Sequence, residues 1–197
     1  MKFEALGLAD VMRVALEPKP DERGFFARTF CAREFSAQRL PSVPVQCSIS
    51  YNARRGTVRG LHFQWPPSQE AKLVRCVRGE LQEVLVDLRP DSPTYLKTET
   101  VVLSDVNRDS VYVPPGVAHG FQTLRDHTEV LYQMSDYFDP ELQGEVRWND
   151  ARFGIHWPIN DIVISQRDAQ CAPFDQTAYE GEYARRRGSL PRPSGPA

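Results

Sequence analysis

Histidine is scarce in this chain, with four among 197 residues, and one of them, His62, lies inside an alternating segment. Across residues 56–64, Gly-Thr-Val-Arg-Gly-Leu-His-Phe-Gln, extended backbone puts Val58, Gly60, His62 and Gln64 on one face. Thr57, Arg59, Leu61 and Phe63 fall on the other. Imidazole titrates unaided near neutrality, so a histidine on a face of otherwise small and apolar groups suits a general base. The plainer reading is a buried neutral histidine with a satisfied hydrogen bond. His119 follows the corner Pro114-Pro115-Gly116, and Lys72 opens a run that is otherwise mostly apolar. Tyr132 alternates in phase with Val130 and Met134, which turns its ring inward, where a phenol needs a hydrogen-bond partner.

The elements that must hold these groups are strands. Candidate strands cover residues 11–16, 25–30, 45–51, 56–64, 72–77, 81–88, 98–103, 110–113 and 129–136, with a short helix over 32–40 ending before Pro41. Gly/Pro-punctuated short strands in a chain of this length predict an all-β sandwich or barrel, a jelly roll fitting the size. Residues 1–183 are expected to form one domain. Beyond Asp168 the pattern fades, and residues 184–197, with an arginine run and prolines but little to bury, read as a solvated disordered tail.

Composition narrows the function class. A formal net charge of -2 argues against a general nucleic-acid or anionic-membrane binder. The scattered Cys31, Cys47, Cys76 and Cys171 form no Cys-x-x-Cys pair and suit reduced, packed thiols. No signal peptide and no membrane-length apolar run is read, so a cytoplasmic protein is expected.

Pro114-Pro115-Gly116-Val117-Ala118-His119 resembles the second motif of the cupin superfamily, and Gly56 with His62 resembles the start of the first. Metal-binding cupins continue that first motif as His-x-His and add a glutamate. Here position 64 is Gln64, leaving His62 and His119 with Glu70 as a doubtful third ligand, so a metal-free barrel without a cofactor is the better reading. The resemblance then narrows. Arg59-Gly60-Leu61-His62-Phe63-Gln64, Lys72-Leu73-Val74-Arg75, Asp87-Leu88-Arg89 with Ser92-Pro93-Thr94, Pro115-Gly116-Val117-Ala118-His119-Gly120-Phe121, Tyr132-Gln133 and Trp148-Asn149-Asp150 occur in that order. Together they resemble the dTDP-4-dehydrorhamnose 3,5-epimerase family over residues 21–168.

That resemblance implies a metal-independent cupin-type jelly roll with short peripheral helices, a homodimer, acting on a nucleotide-linked 4-keto sugar. The keto group acidifies the C–H bonds at C3 and C5; a base removes a proton, and an acid across the ring returns one to the opposite face. The resemblance makes His62 the base, Asp168 its carboxylate partner, Lys72 the cation at the enolate oxygen and Tyr132 the acid. His119 is either a ligand of the same oxygen or a structural remnant. Arg23 and Arg59 match diphosphate-binding positions, and Phe26 and Gln46 match positions contacting the nucleotide. Strict alternation sets Arg59 on the face away from His62, so a bulge or bend at Gly60 is expected. Trp148 and Asp150 look structural. Asp168 equally suits a surface turn or helix cap.

The pattern departs from the family at Arg28, where glutamate is usual, at Ser48 in place of asparagine, at Gln143 near a usual glutamate, and at Arg167 in place of lysine. Ser48 and Arg167 are counted with the substrate-binding set. These changes bear on the nucleotide and sugar more than on the reaction type. Two other readings stay open: a metal-dependent cupin enzyme such as a dioxygenase, and a non-catalytic cupin that binds sugar nucleotides.

Overall fold

The structure is a computed structural model that describes residues 1–41 and 44–188. In chain order the elements are β1 (Lys2–Ala5), β2 (Met12–Ala15), β3 (Lys19–Asp21), β4 (Gly24–Phe26), α1 (Ala32–Ala37), β5 (Gln46–Asn52), β6 (Thr57–Gln64), β7 (Lys72–Arg78), β8 (Glu80–Asp87) and β9 (Thr98–Ser104). They continue with β10 (Ser110–Val113), β11 (Val117–Thr123), β12 (Thr128–Met134), β13 (Gln143–Glu145), a 3₁₀ turn at Ala151–Phe153, β14 (Val163–Ile164), α2 (Gln166–Gln170) and α3 (Gln176–Arg187).

One sheet runs β1-β2-β10-β7-β12-β5 and the other β13-β6-β11-β8-β9, with β14 added parallel to β6. The other pairings are antiparallel, and β3 and β4 form a separate hairpin. Two such sheets with an apolar filling make the all-β jelly roll the sequence predicts. Period-two alternation decides what fills it. Val74 and Cys76 of β7 meet Leu81 and Leu85 of β8 between the sheets, joined by Val111, Val117, Phe121 and Val130. The alternate residues Val84 and Val86 point the other way, into a second cluster with Val58, Leu61, Phe63, Phe153, Trp157 and Tyr179. A third cluster packs Phe35 of α1 on Val14, Leu73 and Tyr112. The second sheet is thus buried on both faces, which explains its dense apolar strands.

Several sequence readings need correction: the helix expected over 32–40 ends at Ala37, and strand β1 was not anticipated. The strand expected over 25–30 ends at Phe26, and Phe30 instead joins the third cluster, 4.8 Å from the Phe35 ring. Strand β11 was not anticipated: every one of its residues is buried, so it shows no alternation. Helix α3 was also missed, because its apolar face is built from Tyr179 and Tyr183 and not from aliphatic residues. It carries the arginine run through Arg187, so residues 184–187 are helix and not tail; residues 189–197 lie outside the described residues.

In β6 the bulge or bend expected at Gly60 is present, and it overturns the strict alternation read across residues 56–64. Opposite β6, His119 pairs with His62 and Phe121 with Arg59, so three steps on β6 face two on β11. The extra residue is a bulge at Gly60, where φ is +110° and a Cβ would stand 2.7 Å from the Gly120 Cα and 2.8 Å from the His119 carbonyl oxygen. The bulge reverses the phase of the first half of the strand. Val58 therefore packs with Leu61 and Phe63 in the second cluster, and Arg59 shares a side with His62.

Candidate active site

A cavity of about 950 Å³ opens between the sheets, with β6 and β11 on one wall and β5, β7 and β12 on the other. The bulge delivers Arg59, His62 and Gln64 to it from β6, while Lys72 and Tyr132 enter from the opposing sheet. His62 and Tyr132 thus face one space from different sheets.

His62 is backed by α2. Ser165 caps that helix, its Oγ accepting the Asp168 N–H at 3.1 Å, and this holds Asp168 beneath β6. Asp168 Oδ1 lies 2.8 Å from His62 Nε2, and the Gly60 N–H donates to Oδ2 at 3.5 Å. Burial opposes ionisation of Asp168, but hydrogen bonds from His62, Ser165 and Gly60 outweigh it and hold the carboxyl below its ordinary range. The carboxylate fixes Nε2 as the protonated nitrogen and leaves Nδ1 as the basic one.

On the opposite wall the Tyr132 hydroxyl is 3.3 Å from Ser50 Oγ. Burial drives its pKa up, against the Ser50 hydrogen bond, so the phenol stays protonated. Lys72 Nζ sits 2.5 Å from Glu70 Oε1. His119, 6% exposed, has Nδ1 2.7 Å from Oε1 of Glu83, which is fully buried. Burial pushes Glu83 well above the usual carboxylate range and His119 well below the usual imidazole range. Both directions favour a neutral pair in which the Glu83 O–H donates to Nδ1, leaving N–H on Nε2. The second Glu83 oxygen has no partner, which a neutral acid tolerates better than a carboxylate.

The remaining sequence candidates divide. Arg59 lines the cavity, its Nε donating to Asn52 Oδ1 at 2.8 Å. Gln46 and Ser48 line it from β5. Arg167 lies at the rim, donating to Glu145 at 2.9 Å and to Gln143 at 3.0 Å. Arg23 and Phe26 do not reach it. The hairpin that carries them pairs with no other strand, Arg23 is paired with Asp21, and Phe26 is 72% exposed. Trp148 and Asp150 brace the C-terminal segment: the Trp148 carbonyl accepts the Trp157 indole N–H, and Asp150 accepts the Phe174 and Arg152 N–H groups.

Sequence reasoning overlooked Glu83, though a carboxylate alternating in phase with Leu81 and Leu85 was a usable signal. It overlooked Ser50 and Glu145 as well. Among the described residues, His62, Glu145 and Asp168 place donor atoms within 4.8 Å of one another, the histidine–carboxylate group able to offer ligands to a metal ion. Two of the three are already hydrogen-bonded to each other, and the third is engaged by a guanidinium. The set weighed from sequence, His62, His119 and Glu70, does not form such a group, because Glu70 turns to Lys72 and Gln64.

The chain is similar to known proteins over most of its length. Residues 5–176 match the model of a family described as dTDP-4-dehydrorhamnose 3,5-epimerase. A dTDP-4-dehydrorhamnose 3,5-epimerase of Sinorhizobium fredii is 39% identical over 170 residues, covering 86% of this chain and 87% of that protein. A 4-keto-6-deoxy sugar epimerase from the novobiocin biosynthetic gene cluster of Streptomyces spheroides superposes with a TM-score of 0.83 at 35% identity, covering 97% of this chain and 92% of the other. A dTDP-6-deoxy-D-glucose-3,5-epimerase of Legionella pneumophila, solved in complex with dTDP-4-keto-L-rhamnose, superposes with a TM-score of 0.84 at 29% identity, over 92% and 96% of the two chains.

Proposed function

The chain belongs to the dTDP-4-dehydrorhamnose 3,5-epimerase family and is a sugar-nucleotide epimerase of cupin-type fold, and from that premise we propose how its residues divide the work. The substrate is a nucleotide-linked 4-keto-6-deoxy sugar, by default dTDP-4-dehydro-6-deoxy-D-glucose, inverted at C3, C5 or both. The observation that carries the assignment is the placing of His62 and Tyr132 on opposing sheets around one cavity, with Asp168 2.8 Å behind the imidazole.

His62 Nδ1 takes the proton from carbon, and the electron pair left behind delocalises onto O4 as an enolate. Asp168 stabilises the imidazolium that forms. Lys72 and the neutral Nε2–H of His119 stabilise the charge on O4. Tyr132 then protonates the carbon from the other ring face, which inverts the centre; solvent exchange resets imidazolium and phenolate. The keto group itself acidifies the C–H bond, so the proposed steps use no cofactor.

Arg59, preset by Asn52, holds the diphosphate, and Gln46, Ser48 and Arg167 contact the nucleotide sugar. Arg23 and Phe26 fit that role in a homodimer, supplied to the cavity of a second copy. Support comes from the outer face of the first sheet. Tyr51 and Val77 are exposed there, and the buried Arg75 leaves its Nη2 without a partner. Residues 1–183 are read as one domain, with its limit moved to the end of α3. No helix among the described residues is long and apolar enough to cross a membrane, and the four cysteines are free, which supports a cytoplasmic setting.

The reading is tested by incubating the protein with dTDP-4-dehydro-6-deoxy-D-glucose and following inverted product by NMR, with UDP-, GDP- and CDP-linked analogues in parallel. Inverted product from one of them is expected. Tight binding without turnover of any of them would favour the non-catalytic reading.

A further inference from the structure

We propose that Glu70, itself locked by Gln64, is a positioning residue that fixes the Lys72 ammonium at the cavity wall. Glu70 precedes β7 by two positions, and in extended backbone residues two apart share a side, so both it and Lys72 line the cavity. The Glu70 side chain is 3% exposed, and its Oε1 lies 2.5 Å from Lys72 Nζ. Its other oxygen accepts the Gln64 Nε2–H at 2.8 Å. The Gln64 amide is tied at both ends to the loop after β12: Nε2 also donates to the Tyr137 carbonyl at 3.4 Å, and Oε1 accepts the Asp139 N–H at 3.3 Å. These contacts fix which way the amide points, and the Ser68 Oγ accepts the Glu70 N–H at 3.1 Å.

Lysine needs such a clamp. Its four-carbon stem is flexible and its ammonium has no fixed geometry, whereas a donor to a developing oxyanion works best already in place. Glu70 Oε1 meets the ammonium as an ion pair and takes no aligned N–H, so it holds the charge in place without using up a donor. Glu83 also lies within electrostatic reach of Lys72, but burial favours its neutral form, and the direct ion-pair contact of the ammonium is with Glu70. The glutamine and glutamate weighed from sequence against a cupin metal set are thus the parts of a lysine clamp.

The inference rests on the reading of Lys72 as the cation at O4, and its test separates the two. Turnover, KM and solvent-deuterium exchange are measured for Glu70→Gln, Lys72→Met and the double variant, with Lys72→Gln as a second lysine variant in case the methionine protein does not fold. Glu70→Gln keeps size and the Gln64 contact but removes the charge. It is expected to lower kcat about 10-fold with KM changed less than about 3-fold, and Lys72→Met to lower kcat about 100-fold. In the double variant the Glu70 change should cost no more than about 2-fold beyond the loss of Lys72, since Glu70 acts through that ammonium. Wild-type kcat in Glu70→Gln, or an equal loss with and without Lys72, overturns the inference while leaving Lys72 in its role. Undiminished turnover in the Lys72 variants removes that role and this inference together.

Discussion

Arg59 and His62 are three residues apart on β6, yet both side chains face one cavity, because the bulge at Gly60 inserts an extra residue between them. A regular strand would send them to opposite faces. Without that bulge the Arg59 guanidinium and the His62 imidazole could not reach the same cavity.

Gly60→Ala should therefore be costly. Its φ of +110° disfavours a side chain, and the new Cβ would press on backbone atoms of His119 and Gly120 that cannot swing away. A loss of roughly 2–4 kcal/mol is expected in urea unfolding, with activity falling as the register of β6 shifts.

Asp168→Asn preserves shape but removes the charge that holds the imidazole tautomer. A fall in kcat on the order of 10³-fold is expected, with thermal stability measured alongside. The pH dependence has a definite sign. Because the carboxyl titrates below its ordinary value of 3.8 in the folded protein, its stabilisation is present above that pH and is lost as pH falls through the folded value. The stability gap between wild type and Asp168→Asn should be constant at neutral pH and close in acid.

Tyr132→Phe removes the proposed acid but leaves the proposed base, His62. The variant should still exchange substrate protons with solvent on the face served by His62, while forming inverted product at least about 100-fold more slowly. Loss of exchange and inversion in equal measure would place the tyrosine on the same step as the histidine.

Glu83→Gln tests the neutral buried pair. An amide can donate to His119 Nδ1 as a protonated acid does, so the variant should retain most of the stability. The folded-state pKa of Glu83 lies well above its ordinary 4.5, so its contribution is complete below that pH and declines as pH rises. Unfolding free energies measured from pH 5 to 8 should thus shift in favour of the variant. An unchanged gap across that range would indicate that the pair holds no proton, with an ionised Glu83 beside a neutral His119.

Sequence patterning disclosed most of the sandwich. The limits of β7, β9 and β10 follow from alternation, from Gly/Pro breaks and from the Asp/Asn turn between β9 and β10. It was weakest where local pattern carries no tertiary information. Residues 117–123 are covered on both faces and lack a period, and α3 owes its place to Tyr179 lying against Trp65 and Phe174, a contact made only on folding. At the site, residue type identified His62 and Tyr132, but the partners of Lys72 and His119 come from elements distant in sequence or from an acid given another role. Arg23 and Phe26 show the converse: matched by motif, they lie away from the cavity of their own chain.

The central claim is that the His62 imidazole takes a proton from a carbon beside the keto group. It is tested most directly by incubating wild type and His62→Ala with dTDP-4-dehydro-6-deoxy-D-glucose in deuterium oxide and following the C3 and C5 protons by NMR. Wild type should incorporate deuterium at one or both carbons, and His62→Ala, folded and still binding dTDP, should incorporate none above the uncatalysed rate. Undiminished exchange in that variant would contradict the account.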